Sequence, residues 1–147
     1  MLKIGTQAPD PQIITHLGYE GPLSHFWKDS HLILFFYPKD QTRICTKQAC
    51  TLQTSLGDFA SFGAGVLGSS TDGVKQHVDF AAKHNLEFPL VADTKGDLAR
   101  AFEAYRSLIR IAKRITYVID PSGKIIGTHH SELSVDGHLN MIRLALG

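Results

Sequence analysis

The two cysteines of the chain, Cys45 and Cys50, both lie in the stretch FYPKDQTRICTKQAC, residues 36–50. Thiols this close together can form a redox pair, bind a metal, or serve as small buried hydrophobic side chains. A structural zinc or an iron–sulfur cluster needs further thiolates or closely spaced histidines, and the sequence has no third cysteine. The spacing also differs from the C-x-x-C motif of disulfide reductases. For Cys45 taken alone, two interpretations remain: a reactive thiol or a buried structural thiol.

The position of Cys45 along the chain favours reactivity. The apolar run HLILFFY, residues 31–37, predicts a strand covered on both faces, and residues 45–60 predict a helix after a loop at 38–44. Unpaired N–H groups and the positive dipole end at a helix start stabilise an anion, so the thiol should ionise readily. Thr42 can offer its hydroxyl to the sulfur or to a bound oxygen, and Pro38 supplies a fixed loop conformation and an apolar wall.

Two other patterns have simpler interpretations. Gly63, Gly65 and Gly68 match G-x-G-x-x-G, but they lie across a predicted strand, whereas a dinucleotide-binding loop should follow a strand and open a helix. The adjacent residues His129 and His130 would point to opposite faces of a strand, which favours surface histidines over a metal site.

Composition narrows the class of protein. A chain of 147 residues that is 43% hydrophobic and 20% charged predicts one domain, residues 1–147, with a single sizeable core. Its formal net charge of +1 predicts no nucleic-acid or membrane-surface partner. No apolar run is long enough for a membrane span, and MLKIGTQAPD lacks the apolar region of a signal peptide, so the expected location is the cytoplasm.

The remaining elements alternate between strands and helices. Strands are predicted at 65–70, 114–120 and 124–130, with a strand or extended loop at 88–93, and helices at 73–85, 96–105 and 136–147. In the helix at 73–85, which Asp72 is available to cap, one face at helical spacing consists of Val74, Val78, Ala81 and Ala82. The last helix is expected to bury Leu139, Ile142 and Leu146. A parallel crossover followed by a hairpin predicts an α/β protein with a mixed central β-sheet flanked by helices on both faces, the thioredoxin-like architecture.

The segment FYPKDQTRICTKQAC resembles the active-site segment of peroxiredoxins, most closely the bacterioferritin comigratory protein or peroxiredoxin Q group, whose pattern is F-Y-P-K-D-x-T-P-G-C-T-x-E-A-C. GVLGSSTDGVKQHVDFAAKHNLEFPLVAD and RITYVIDPSGKI also resemble later segments of that group, in order and spacing. The resemblance therefore extends over nearly the whole chain.

By position, the resemblance implies that Cys45 is the peroxidatic cysteine, Thr42 and Pro38 belong to its pocket, Cys50 is the resolving cysteine, and Arg114 is the active-site arginine. The implied reaction is reduction of hydrogen peroxide and organic hydroperoxides through a sulfenic acid and an intramolecular disulfide, which thioredoxin or a similar dithiol reductant then reduces. No cofactor and no metal are implied. Because both cysteines belong to one chain, a monomer is preferred, with a dimer possible.

Several residues depart from the pattern. Arg43 and Ile44 replace Pro-Gly, so that Ile44 makes the substrate pocket bulkier and more apolar, and Gln48 replaces a glutamate that could have paired with an arginine. The segment YRSLIRIAKR also looks shorter than its counterpart. The alternative to an enzyme is a non-catalytic redox-sensing or holdase module on the same fold, and general thiol–disulfide exchange is a third option.

Overall fold

Five strands form the central sheet of the computed structural model, which describes residues 1–147. The strands in chain order are β1 (Gln12–Ile14), β2 (Glu20–Pro22), β3 (His31–Phe36), β4 (Ala64–Ser70), β5 (Leu90–Ala92), β6 (Tyr105–Arg106), β7 (Ile111–Ala112), β8 (Ile115–Ile119) and β9 (Ile125–His130). The central sheet has the order β5-β4-β3-β8-β9, with β3 parallel to β4 and antiparallel to β8. The helices are α1 (Arg43–Thr54), α2 (Leu56–Ser61), α3 (Val74–His84), α4 (Asp97–Ala101) and α5 (Asp136–Leu146).

The central strand β3 divides the interior into two apolar layers. Successive side chains of a strand point to opposite faces, so Ile33 and Phe35 pack with α1, α2, α3 and α5, whereas Leu34 and Phe36 pack with α4 and the β1–β2 hairpin. All four side chains are fully buried. The predicted mixed sheet with helices on both faces is therefore confirmed. None of the helices combines the length and the apolar character that crossing a membrane requires.

The first helical region differs from the prediction in its bounds. Instead of one helix over 45–60, α1 begins at Arg43 and ends at Thr54, and α2 begins at Leu56. Ser55 separates the two helices with backbone angles of −90° and 2°, outside the helical region. Cys45 consequently lies in the first turn of α1, as expected.

Of the face predicted for α3, Ala81 is buried and Ala82 is exposed, and the predicted cap is wrong. Val74 and Val78 are exposed, and the buried side chains of this helix are His77, Phe80 and Ala81. Asp72 does not cap the helix, because its carboxylate instead accepts hydrogen bonds from the Asp40 amide (2.8 Å) and the Ser70 hydroxyl (2.6 Å). Asp72 therefore belongs to a hydrogen-bond network with Asp40 and Ser70 rather than to the start of α3.

Two further differences concern the second half of the chain. The helix predicted over 96–105 ends at Ala101, and the residues that follow form the small hairpin of β6 and β7. In α5, Ile142 is fully buried, whereas Leu139 and Leu146 are only partly covered. The hairpin occupies the segment in which the sequence departs from the family pattern.

Candidate active site

Cys45 sits where β3 delivers the chain to the start of α1. Thr42 is the N-terminal cap residue in extended conformation, and its carbonyl accepts the first helical bond, from Thr46 at 2.9 Å. The Cys45 side chain is fully buried among the apolar residues that cover one face of the sheet. The amides of the first helical turn have no partner inside the helix, so the sulfur lies at its electropositive end.

Arg114 contacts the sulfur directly. The register of β8 against β3 pairs Ile115 with Phe36, which brings Arg114, the residue before β8, to the end of β3 where α1 follows. Its NH2 group donates to Cys45 Sγ at 3.1 Å, and only 4% of the arginine is exposed. A guanidinium is permanently protonated, so this contact places a fixed positive charge directly on the sulfur.

Gln48 is the second side chain on the guanidinium. Its amide oxygen accepts from Arg114 NH1 at 2.9 Å, and the residue is fully buried one helical turn after Cys45. The sequence shows that Gln48 stands where the pattern has a glutamate, but it does not show that the amide binds Arg114 as well. The arginine is therefore held by a neutral acceptor beside the sulfur.

Glu132, which the sequence analysis did not single out, fixes the other side of Arg114. Its backbone carbonyl accepts from Arg114 Nε, and its carboxylate accepts from the Arg114 amide, both at 3.0 Å. The same carboxylate oxygen accepts from Arg106 at 3.1 Å and contacts His130 Nε2 at 2.7 Å. Partial burial of the carboxyl opposes ionisation, but the bonds from His130, the Arg114 amide and Arg106 outweigh it, so the pKa of Glu132 lies below its usual value.

The other predicted site residues surround the start of α1. Thr42 is exposed, and its hydroxyl donates to the Lys39 carbonyl at 2.8 Å, which leaves its lone pairs free to accept. Pro38 and Ile44 are partly buried. Cys45 and Cys50 are both free thiols. Cys50 follows Cys45 by five residues and is partly buried. Because Cys45 has no exposed surface, a substrate must displace neighbouring side chains to reach it.

One group of three potential metal ligands lies near the site. Ligand atoms of Asp40, Asp72 and His77 all lie within 4.8 Å of one another. Both ring nitrogens of His77 are already used, Nδ1 by Asp40 Oδ2 at 2.7 Å and Nε2 by the Val91 carbonyl at 2.8 Å. Asp40 also accepts from the Tyr37 hydroxyl at 2.5 Å, and burial together with Asp40 raises the pKa of Tyr37 well above its usual value. These bonds make the group a hydrogen-bond network that anchors the loop before α1.

Comparisons with known proteins show which family the sequence and the fold resemble. Residues 4–128 match the model of the AhpC/TSA family. Peroxiredoxin Bcp of Bacillus subtilis is 36% identical over 131 residues, which cover 85% of this chain and 83% of that protein. The crystal structure of peroxidoxin BcpB from Mycobacterium tuberculosis superposes with a TM-score of 0.92 at 33% identity and covers 99% of this chain and 97% of that one. Peroxiredoxin Q of Xanthomonas campestris gives a TM-score of 0.84 at 29% identity, with 95% and 94% covered.

Proposed function

Because the chain belongs to the AhpC/TSA family and is a peroxiredoxin, a thiol-dependent peroxidase, we propose that Cys45 is the thiol that reacts with peroxide. The observation that carries this assignment is the 3.1 Å contact from Arg114 NH2 to Cys45 Sγ at the start of a helix. Two positive features, the guanidinium and the helix N-terminus, act on one buried sulfur. Cys50 has no such contact with a cation.

In the first step, the Cys45 thiolate attacks the terminal oxygen of a hydroperoxide. The sulfur–oxygen bond forms as the oxygen–oxygen bond breaks, the sulfur is oxidised to a sulfenic acid, and the leaving oxygen takes a proton to become water or an alcohol. Negative charge moves from sulfur to the leaving oxygen, and Arg114, which contacts the sulfur, would stabilise this charge as it moves. Thr42, whose hydroxyl hydrogen is committed to Lys39, would accept the hydrogen bond of the incoming hydroperoxide.

In the second step, the Cys50 thiolate attacks the sulfur of the Cys45 sulfenic acid. The sulfur–sulfur bond forms as the sulfur–oxygen bond breaks, and the leaving hydroxide takes a proton from solvent to become water, which leaves an intramolecular disulfide. Thioredoxin or a similar dithiol protein then reduces this bond by thiol–disulfide exchange, with its own thiols oxidised in return. Such a donor system operates in the cytoplasm, which is the location proposed for this protein. Pro38 and Ile44 form the apolar part of the substrate pocket, so organic hydroperoxides are proposed as substrates alongside hydrogen peroxide.

The direct test is intact-mass spectrometry of the reduced protein before and after one equivalent of hydrogen peroxide. Loss of two hydrogens, reversed by thioredoxin, its reductase and NADPH, is the expected result. Cys45→Ser should abolish peroxide consumption. Cys50→Ser, the matched control, should still consume one equivalent but form no intramolecular disulfide.

A different outcome would favour another role. If the parent protein is oxidised once but is not turned over with the complete donor system, it acts as a redox sensor rather than a peroxidase. Sedimentation velocity of reduced and oxidised protein tests the proposed monomer, because resolution within one chain requires no second subunit.

A further inference from the structure

The buried amide of Gln48 has a hydrogen-bond donor that no protein atom uses. Three buried side-chain polar atoms lack a partner: Gln48 Nε2, Ser69 Oγ and Thr128 Oγ1. Buried polar groups are almost always paired, so each such atom requires an explanation. Gln48 is the only one of the three residues that contacts Arg114.

The orientation of this amide is fixed by its neighbour. A guanidinium only donates hydrogen bonds, so the atom of Gln48 that faces Arg114 NH1 must be the carbonyl oxygen. The NH2 group of the amide must therefore point elsewhere, and it points to no protein acceptor. The unused donor is a consequence of how Arg114 is held.

Arg114 brings the amide that carries the unused donor close to the reacting sulfur. Arg114 directs NH1 to Gln48 and NH2 to Cys45, so the amide and the sulfur occupy adjacent positions along one planar guanidinium. Cys45 and Gln48 are also three residues apart on α1, a spacing that places side chains on the same face of a helix. Both side chains are fully buried.

We propose that Gln48 is a further catalytic residue, whose unpaired amide N–H donates to the oxygen atom that Cys45 removes from the hydroperoxide. This inference rests on the proposed role of Cys45. The transferred oxygen passes from the peroxide to the sulfur together with its hydrogen, and its lone pairs accept from Gln48 both in the bound peroxide and in the sulfenic acid. The leaving oxygen takes its proton from solvent, and Gln48 itself neither gains nor loses a proton.

A glutamate cannot perform this role. An ionised carboxylate would accept from Arg114 as the amide does, but it has no hydrogen to donate and would repel negative charge on the reacting oxygens. The amide holds Arg114, leaves the guanidinium charge uncompensated and supplies a donor.

The test compares variants in a Cys50→Ser background, so that only the first oxidation is observed. Rapid-quench mass spectrometry gives the rate of Cys45 oxidation by hydrogen peroxide, and far-ultraviolet absorbance against pH gives the fraction of thiolate in each variant. Gln48→Glu keeps the acceptor for Arg114 and removes the donor. Gln48→Met removes both without adding charge. Gln53→Glu makes the same change as Gln48→Glu on the same helix, at a partly exposed residue that binds the Glu87 amide.

At equal thiolate fraction, both Gln48 variants should oxidise about twofold to tenfold more slowly, the expected loss for one hydrogen bond to an uncharged oxygen. Gln53→Glu should oxidise at the parent rate. If either Gln48→Glu or Gln48→Met matches the parent rate at equal thiolate fraction, the amide does not act on the transferred oxygen and the inference is overturned. If the parent itself is not oxidised at Cys45, the proposed function is wrong, a failure distinct from loss of the Gln48 effect.

Discussion

Formation of the Cys45–Cys50 disulfide should unwind most of α1. Five residues of regular helix advance about 7.5 Å along the axis, whereas the Cα atoms of a disulfide rarely lie more than about 6.8 Å apart. Cys45 is also fully buried, so its side chain must leave the apolar layer to meet Cys50. The segment from Thr42 to about Thr51 is therefore expected to lose its helical hydrogen bonds in the oxidised form.

The loss of exchange protection can be calculated from the helical hydrogen bonds that unwinding would break. In a regular helix, the amides of residues 46–51 donate to carbonyls four residues earlier, and the first of these bonds, from Thr46 to Thr42, measures 2.9 Å. About six bonds at roughly 0.5–1 kcal/mol each amount to about 3–6 kcal/mol. At about 1.4 kcal/mol per tenfold change, the amides should be protected from exchange about a hundredfold to ten-thousandfold in the reduced protein. The disulfide should remove most of this protection.

Hydrogen exchange read by mass spectrometry measures this directly. Peptides that cover residues 42–51 should exchange far faster in the disulfide form, while peptides from β3 should exchange equally in both forms. Cys50→Ser, treated with the same peroxide, should keep its protection because it cannot form the bond. Equal protection of residues 42–51 in the reduced and disulfide forms would refute the reasoning, because the disulfide would then have formed without unwinding the helix.

Three further outcomes are expected. Arg114→Met should slow Cys45 oxidation about tenfold to a hundredfold in a rapid-quench assay, because a charged hydrogen bond to the sulfur is lost. Glu132→Ala should slow it less, because it removes the carboxylate that accepts from the Arg114 backbone amide but keeps the backbone carbonyl that holds the guanidinium. Burial lowers the pKa of His138 from 6.5 to about 4, so the neutral imidazole contributes fully to the free energy of unfolding above pH 6.5. This free energy declines by about 3 kcal/mol as the pH falls to about 4. Urea unfolding at pH 7 and pH 4.5 should show most of this loss, and His138→Gln should show less of it. Gly68→Ala should lower stability by about 1–3 kcal/mol in the same assay, because its Cβ would lie 2.7 Å from a buried leucine methyl, whereas Gly65→Ala on the same strand meets nothing within 4 Å. A Gly68→Ala variant as stable as Gly65→Ala would show that this part of the core relaxes freely.

The sequence predicted the central architecture because its main signals are local. An apolar run such as residues 31–37 specifies a strand covered on both faces, and the loop that follows places Cys45 at a helix start. The prediction for α3 failed at its two valines, Val74 and Val78, because helical spacing identifies a face without showing which face is buried. In the structure the buried face carries His77, whose imidazole bonds Asp40 and the Val91 carbonyl. A buried histidine cannot be distinguished from an exposed one by hydropathy.

The partners of Arg114 could not be predicted for a related reason. Glu132 lies 18 residues from Arg114 and Gln48 lies 66 residues from it. All three come together only through the register of β8, against β3 on one side and against β9 on the other. Local patterns carry no information on that register. The contact of Arg114 with Cys45 was expected only because the motifs resemble a known family.

The segment that is expected to unwind has a definite boundary at each end of α1. Asp40 is held by Tyr37, His77 and Asp72 immediately before α1, so the loop that leaves β3 is anchored in the core. Gln41, the next residue, adopts the left-handed backbone region with a φ of 65°, which lets the chain change direction between the anchor and the helix. At the other end, the break at Ser55 disconnects α1 from α2, which packs on the sheet through the fully buried Phe59. Unwinding of α1 should thus be confined to the residues between Gln41 and Ser55. Because Arg114 is fixed by Glu132 outside this segment, we expect the cation to stay in place when the cysteine moves away.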